Sequence, residues 1–171
     1  TDSFRLAEKT IVKTQFSTTY KESFKFLLPL KTAHELIRLL SDEEEVTFRD
    51  DGSQIVFETP TRLLVSRLID GNFPDYGAIV PKEFATRMVL ESQEFGSAVK
   101  LASVFGSRVS EVKIAALENK KSAQISSAEQ GLGENTSVIS AKIDGEPKEA
   151  SFNWRYLQDG VKAVRGKDLF I

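Results

Sequence analysis

The chain has 171 residues, 40% of them apolar and 28% charged, which is typical of a globular protein with one large domain or two small ones. Its 23 basic and 25 acidic side chains give a net charge of −2, which excludes a uniformly basic nucleic-acid binder but not a locally basic surface. With no Cys and a single His, the sequence excludes a disulfide scaffold, a zinc ribbon and a cysteine nucleophile.

The first group of predicted elements contains one helix. Strands are predicted over residues 4–12 and 22–28. Apolar residues at i, i+3, i+4 and i+7 then predict an amphipathic helix from about Leu30 to Leu40, with Thr32 and Glu35 as its capping box. The strands predicted after this helix cover residues 45–49, 54–58 and 62–69.

The same order of elements returns twice further along the chain. A strand over residues 87–91 leads into a helix over 92–106, for which Ser92 is the predicted N-cap. A strand over residues 149–152 leads into a helix over 153–164, which Asn153 is predicted to cap. The remaining predicted strands cover residues 109–117, 121–128, 136–143 and 167–171.

The even spacing of the three helices predicts an internal repeat. The predicted caps Thr32, Ser92 and Asn153 lie 60 and 61 residues apart, and similar strands flank each helix. Chance spacing is the alternative, because the copies share almost no residue identity. One such unit would leave bare sheet edges, so we expect the copies to join their sheets. We also expect the chain to be a piece of a longer repeating protein.

Basic side chains are concentrated on or beside the predicted helices. Seven bases against three acids give this set a charge of +4, while the other 16 bases and 22 acids carry −6. A basic helix face on an acidic protein would attract phosphate backbones without reading bases, although ordinary solvated helix faces are the alternative. The bases are Lys31, Arg38, Lys100, Arg108, Arg155, Lys162 and Arg165, and the acids are Glu35, Glu94 and Asp159.

No catalytic constellation stands out in the sequence. Asp70 and Asp75 could in principle do acid–base chemistry, but carboxylates in a turn of this kind more often cap backbone amides. His34 has no clustered co-ligand, so a metal site is disfavoured. The residues therefore disfavour an enzyme that uses Asp70 and Asp75, and they indicate no cofactor or metal.

Three segments resemble signatures of a known family. Residues 1–7 (TDSFRLA), 68–76 (LIDGNFPDY) and 152–157 (FNWRYL) are similar, in order and spacing, to segments of the bacterial sliding clamp, the beta subunit of DNA polymerase III. The resemblance implies an α+β DNA-clamp fold, with repeated strand-helix-strand-strand-strand units and the helices on one face of a continuous antiparallel sheet. It further implies the C-terminal part of a middle domain over residues 1–69, an interdomain linker over 70–76, and a third domain lacking its last strands over 77–171.

The resemblance also implies a function. Family members are cytoplasmic, non-enzymatic processivity factors of the replicative DNA polymerase, and form head-to-tail dimeric rings that encircle duplex DNA without sequence preference. They bind short peptides of polymerases and clamp loaders, and no membrane partner is expected. The alternative is a peptide-binding interaction module that cannot close a ring on DNA.

The resemblance assigns residues to three surfaces. The partner-peptide pocket would comprise Thr1, Ser3, Phe4, Arg5, Leu6, Pro74, Ile79, Asn153 and Tyr156. The DNA-facing surface would comprise Lys31, Arg38, Lys100, Arg155 and Lys162. Val104 and Phe105 would lie at the ring interface, although Phe105 could instead belong to the intramolecular core. Two residues depart from the family, since Phe4 stands where His or Tyr is common and Ala78 where Arg can occur.

Overall fold

The structure is a computed structural model that describes residues 1–40, 42, 45–106 and 109–171. Arg108, counted above among the helix-associated bases, lies outside these residues. The chain divides into two compact units, one formed by Glu8–Val80 and the other by Thr1–Ala7 together with Pro81–Ile171.

The unit over Glu8–Val80 contains one helix and a three-stranded antiparallel sheet. Helix α1 spans Leu30–Leu40, as predicted, and strands β1 (Thr47–Asp50), β2 (Gln54–Glu58) and β3 (Leu63–Arg67) pair in the order β1-β2-β3. Ile55 in β2 is fully buried, whereas none of the eleven residues of α1 is buried.

The predicted capping box of α1 is wrong. The helix begins at Leu30, so Thr32 lies inside its first turn, and the Thr32 hydroxyl is 2.7 Å from the Ser66 hydroxyl of β3. The Glu35 carboxylate pairs instead with Arg38, one turn further along, at 2.7 Å. A threonine three residues before a glutamate therefore ties the helix to the sheet here rather than starting it.

Two predicted strands of this region are also wrong. Residues 4–12 form no strand, because the Asp2 carboxylate accepts hydrogen bonds from the Phe4 and Arg5 N–H groups and holds the chain in a turn. Residues 22–28 contribute only an isolated bridge between Leu27 and Ile69.

The second unit is built on a six-stranded antiparallel sheet. The strands of this unit are β4 (Thr86–Glu91), β5 (Glu111–Ala116), β6 (Ser122–Glu129), β7 (Gly133–Gly145), β8 (Glu149–Asn153) and β9 (Asp168–Phe170), and its helices are α2 (Ser92–Ser103) and α3 (Trp154–Ala163). The strands pair in the order β8-β5-β6-β7-β4-β9, and every pair is antiparallel. The described strands of the chain therefore form two sheets rather than the single continuous sheet expected, and turns and a short 3-10 segment at Tyr76–Ala78 occupy the chain between β3 and β4.

Both helices of this unit pack on one core. Alternate strand residues such as Ile114, Ile125 and Ile139 are buried, as period-2 burial of one sheet face requires. Phe95 of α2 is 1% exposed within the same cluster, and α3 adds the partly buried Leu157. The two helices therefore cover the same face of the sheet, so the shared face predicted for all three helices is seen here for two of them.

Of the two N-caps predicted for these helices, the one for α3 is correct and the one for α2 is wrong. The Asn153 side chain accepts a hydrogen bond from the Arg155 N–H at 3.0 Å, so Asn153 caps α3 as predicted. The cap of α2 is Glu91 rather than Ser92, because the Glu91 carboxylate accepts from the Glu94 N–H. A carboxylate one residue earlier also suits the positive end of the helix dipole.

Candidate functional site

The first segment of the chain, Thr1–Ala7, is held against α3 by one arginine. The Arg5 guanidinium contacts the Asp159 carboxylate of α3 at 2.7 Å and lies 4.7 Å from the centroid of the Tyr156 ring. On its other edge it donates from Nε and Nη2 to one oxygen of Asp2. Arg5 therefore joins a turn of the N-terminal segment to two residues of the helix.

The hydrogen bonds between Asp2 and Arg5 favour the charged form of both side chains. The side-chain hydrogen bond from Arg5 is the largest cause that lowers the pKa of Asp2 from 3.8 to about 2, and backbone N–H donors add to it. The same hydrogen bond raises the pKa of Arg5. Both groups are exposed, so the pair positions the segment more than it stabilises the unit.

The docked segment presents apolar surface beside these charges. Phe4 is 80% exposed, Leu6 is 41% exposed, and Tyr156 is exposed on α3 despite its contact with Arg5. Thr1 and Ser3 are exposed, whereas Asn153 is half-buried because its amide caps α3. Seven of the nine residues predicted for the peptide pocket thus belong to the same compact unit.

The other two predicted pocket residues belong to the unit over Glu8–Val80. Pro74 is exposed, and Ile79 is 75% exposed at the end of the 3-10 segment. Asp75 starts that segment by accepting a hydrogen bond from the Gly77 N–H at 3.1 Å, the backbone-capping role that its turn context favours. That Pro74 and Ile79 join Arg5 and Tyr156 in one pocket stays a prediction.

The predicted DNA-facing bases differ in their ion pairing. Lys31, Lys100 and Arg155 are exposed and form no ion pair within the described parts of the chain, and Arg155 lies 5.2 Å from the centroid of the Trp154 ring. Arg38 pairs with Glu35 at 2.7 Å, and Lys162 pairs with Asp159 at 3.8 Å.

The two residues predicted for the ring interface lie just after α2. Val104 is the C-cap and is 67% exposed. Phe105 is half-buried, and a Cβ added to Gly133 would lie 3.3 Å from Phe105 Cε1. Phe105 thus touches its own unit while part of its ring stays accessible, so its place at an interface stays a prediction.

Sequence reasoning counted Asp159 only as a charge and gave Asp2 no role. Asp159 is 154 residues from Arg5 in the chain, and no local pattern signals such a pair.

Within the described residues there is no cluster of three or more side chains suited to a metal ion. None of the described helices is long and apolar enough to cross a membrane.

Comparison with known proteins assigns both parts of the chain. The family model for the central domain of the DNA polymerase III beta subunit matches residues 1–75, and the model for its C-terminal domain matches residues 78–170. The beta sliding clamp of Synechococcus elongatus is 32% identical over 100% of the chain, and that of Bacillus subtilis is 31% identical over 99%. The chain spans 46% and 45% of these relatives, so about half of their length.

Solved structures show the same fold. A crystal structure of the DNA polymerase sliding clamp from Bacillus subtilis superposes with a TM-score of 0.82 at 31% identity, covering 87% of this chain and 40% of that one. The Caulobacter crescentus beta sliding clamp gives a TM-score of 0.76 at 30% identity over 85% of this chain and 39% of that one. The α+β fold with antiparallel sheets is therefore confirmed.

Proposed function

The chain belongs to the DNA polymerase III beta subunit family, the beta sliding clamps, and on that premise we propose that it supplies part of a ring that encircles duplex DNA. Its role is non-catalytic and belongs to cytoplasmic DNA replication, where it keeps the polymerase on its template. The proposed domain division is a central-domain part over residues 1–69, a linker over 70–76 and a C-terminal domain over 77–171.

The observation that carries this proposal is the basic helix layer of the second unit. Helices α2 and α3 cover one sheet face, and Lys100 and Arg155 extend from them with no ion pair among the described residues. Unpaired bases attract phosphates through charge alone and read no base edges. A ring that must slide needs such weak, sequence-independent attraction.

A charge-reversal experiment tests the proposed interaction with DNA. Lys100→Glu combined with Arg155→Glu should weaken binding to a labelled duplex of mixed sequence, and should flatten the dependence of log K on log salt by about 0.9 for each phosphate that is no longer neutralised. Arg87→Glu combined with Lys142→Glu is the matched control, because these two bases form no ion pair among the described residues, alternate with buried residues on β4 and β7, and so lie on the opposite sheet face. Binding that ignores salt, or that both double variants weaken equally, would contradict the proposal.

A second candidate function, peptide binding without ring closure, is favoured by the docked Thr1–Ala7 segment. Arg5 holds this segment on α3 while Phe4, Leu6 and Tyr156 remain accessible. Accessible apolar side chains beside fixed polar groups are the chemistry of a site for a short apolar peptide. In this reading the nine predicted pocket residues act together, and polymerase and clamp-loader peptides are the partners.

Fluorescence polarisation with a labelled clamp-binding peptide from a replicative polymerase tests this function. Leu6→Ala should lower the affinity for the peptide, whereas Leu132→Ala, which removes an exposed leucine at the β6–β7 turn, should not. Peptide binding without retention on DNA would favour the interaction module over the ring. Equal affinities of both variants and the parent chain would remove Leu6 from the pocket.

The proposed ring contact of Val104 and Phe105 has its own test. Val104 is an exposed apolar residue at the end of α2, which suits a contact with a second subunit. If the chain self-associates through this surface, light scattering should show that Val104→Glu abolishes association. Val138→Glu alters a comparably exposed valine on β7 and should leave association intact, so equal effects would argue against the assignment.

A further inference from the structure

An open cleft lined mostly by polar and charged residues lies between the start of α2 and the end of α3. Its volume is about 590 Å³, and residues of the segment that follows α3 line one side of it. Neither the repeat nor the family resemblance singled out this place. The lining residues used below are Ser92, Ser97, Lys100, Gln158, Arg165 and Lys167.

Hydrogen bonds and close packing hold the walls of the cleft in place. The Gln158 Nε2 donates to the Gly96 carbonyl at 2.7 Å, and a Cβ at Gly96 would lie 3.1 Å from Val161 Cγ1, so α2 and α3 are closely packed there. The Ser92 N–H donates to the Lys167 carbonyl at 2.8 Å, which ties the segment after α3 to the start of α2. The cleft is therefore formed by three elements that are bonded to one another.

The cleft has an excess of positive charge. Lys100, Arg165 and Lys167 line it, and none of them forms an ion pair within the described part of the chain. One carboxylate, that of Glu91, also lines the cleft, and it accepts the Glu94 N–H as the helix cap. Because that carboxylate occupies the start of α2, a bound anion would depend on the three bases rather than on the helix end.

A buried donor without a partner points to the same ligand. Ser92 is 9% exposed and lines the cleft, and its hydroxyl has no hydrogen-bond partner among the described residues. A buried hydroxyl ordinarily makes a hydrogen bond, so this one is available to a ligand oxygen. The hydroxyl, guanidinium and ammonium groups that line the cleft are all donors of the kind that a tetrahedral oxyanion accepts from.

We propose that the cleft formed by Ser92, Lys100, Arg165 and Lys167 binds a phosphate group, and that in the assembled protein this is a phosphodiester of the DNA backbone. The assignment to DNA rests on the proposed function. It is favoured by Lys100, which belongs both to the cleft and to the predicted DNA-facing surface. The cleft would contact the phosphates of a passing duplex one at a time, weakly enough for the duplex to slide past α2 and α3.

Two measurements on the whole chain test the site. In ¹H–¹⁵N NMR, inorganic phosphate should produce saturable shifts of the Ser92, Gln93 and Lys167 amides, and Arg165→Gln combined with Lys167→Gln should remove them. The same variant should reduce the salt dependence of duplex binding by about 1 in log–log slope, as expected when one fewer phosphate is neutralised. Arg87→Gln combined with Lys142→Gln also replaces one arginine and one lysine without ion pairs among the described residues, but on the opposite sheet face, and should alter neither result.

The two measurements separate the possible failures. Absence of saturable shifts at these amides would overturn the phosphate site, whatever happens with DNA. Saturable shifts with an unchanged duplex slope would overturn the assignment to DNA and leave a site for free phosphate. If the parent chain binds phosphate in the cleft but no duplex, the proposed function fails while the phosphate site stands.

Discussion

Two glycines in the paired helices of the second unit should respond in opposite directions to the same substitution. Gly160 lies inside α3, and a Cβ added there meets no atom within 4 Å. Gly160→Ala should therefore gain the full difference in helix propensity, about 1 kcal/mol in the free energy of unfolding. For a chain of this size that corresponds to an increase of about 2–4 °C in Tm.

Gly96 should not show this gain, because it lies where α2 meets α3. An added Cβ would be 3.1 Å from Val161 Cγ1, closer than normal packing permits. Overpacking of this kind typically costs about 1–3 kcal/mol, so Gly96→Ala should range from neutral to about 2 kcal/mol less stable once the propensity gain of about 1 kcal/mol is included.

Urea unfolding followed by tryptophan fluorescence measures the free energy of unfolding of both variants in the unit that contains α2 and α3. The single tryptophan of the chain, Trp154, begins α3 and packs on the core, so its emission reports this unit and not the one over Glu8–Val80. Equal stabilisation by Gly160→Ala and Gly96→Ala would refute the close contact of the two helices. It would also remove the packing argument for the wall of the phosphate cleft.

Three further outcomes follow from single sites. The folded pKa of Asp2 is about 2, below its ordinary value of 3.8, so its ion pair with Arg5 should be fully formed above about pH 4 and should break as the pH falls through 2. Carboxylate NMR should show that the pKa of Asp2 rises in the Arg5→Gln variant. Gly145→Ala should destabilise the sheet far more than Gly131→Ala in thermal melts, since both have positive φ but a Cβ at Gly145 would collide with a backbone carbonyl. Phe95→Ala should cost about 3–5 kcal/mol in urea unfolding, because this ring is 1% exposed in the core; a decrease below about 1 kcal/mol would contradict the packing described.

Local patterns predicted the regular elements well where packing agrees with them. The apolar spacing of Leu30–Leu40 placed α1 with its observed bounds, and the alternation around Ile114 placed β5 within two residues. These patterns predict structure because apolar residues that recur with the period of a helix or strand all lie on one face of that element, and that face is the one that becomes buried. Helix caps were harder, since Glu91 can cap α2 only because its carboxylate reaches the Glu94 N–H.

Contacts between distant parts of the chain could not be predicted from composition or spacing. Residues 4–12 were expected to form a strand, yet Asp2 bends the start of this segment into a turn and Asp159 binds its arginine. The family resemblance placed Arg5 in the candidate pocket, but the partner that fixes its guanidinium became visible only in three dimensions. The sequence likewise gave no sign that Arg165 and Lys167 share a cleft with Ser92.

The distribution of ion pairs changes how the basic helix layer should be understood. A count of side chains treats Lys162 and Lys100 as equal, but Lys162 lies 3.8 Å from Asp159, which also binds Arg5. A base already near a carboxylate presents a smaller net field to a phosphate, whereas Lys100 has no such neighbour among the described residues and lines a cleft with two further bases. The proposed attraction for DNA in this unit should therefore be strongest where α2 meets the segment after α3, rather than spread evenly along both helices.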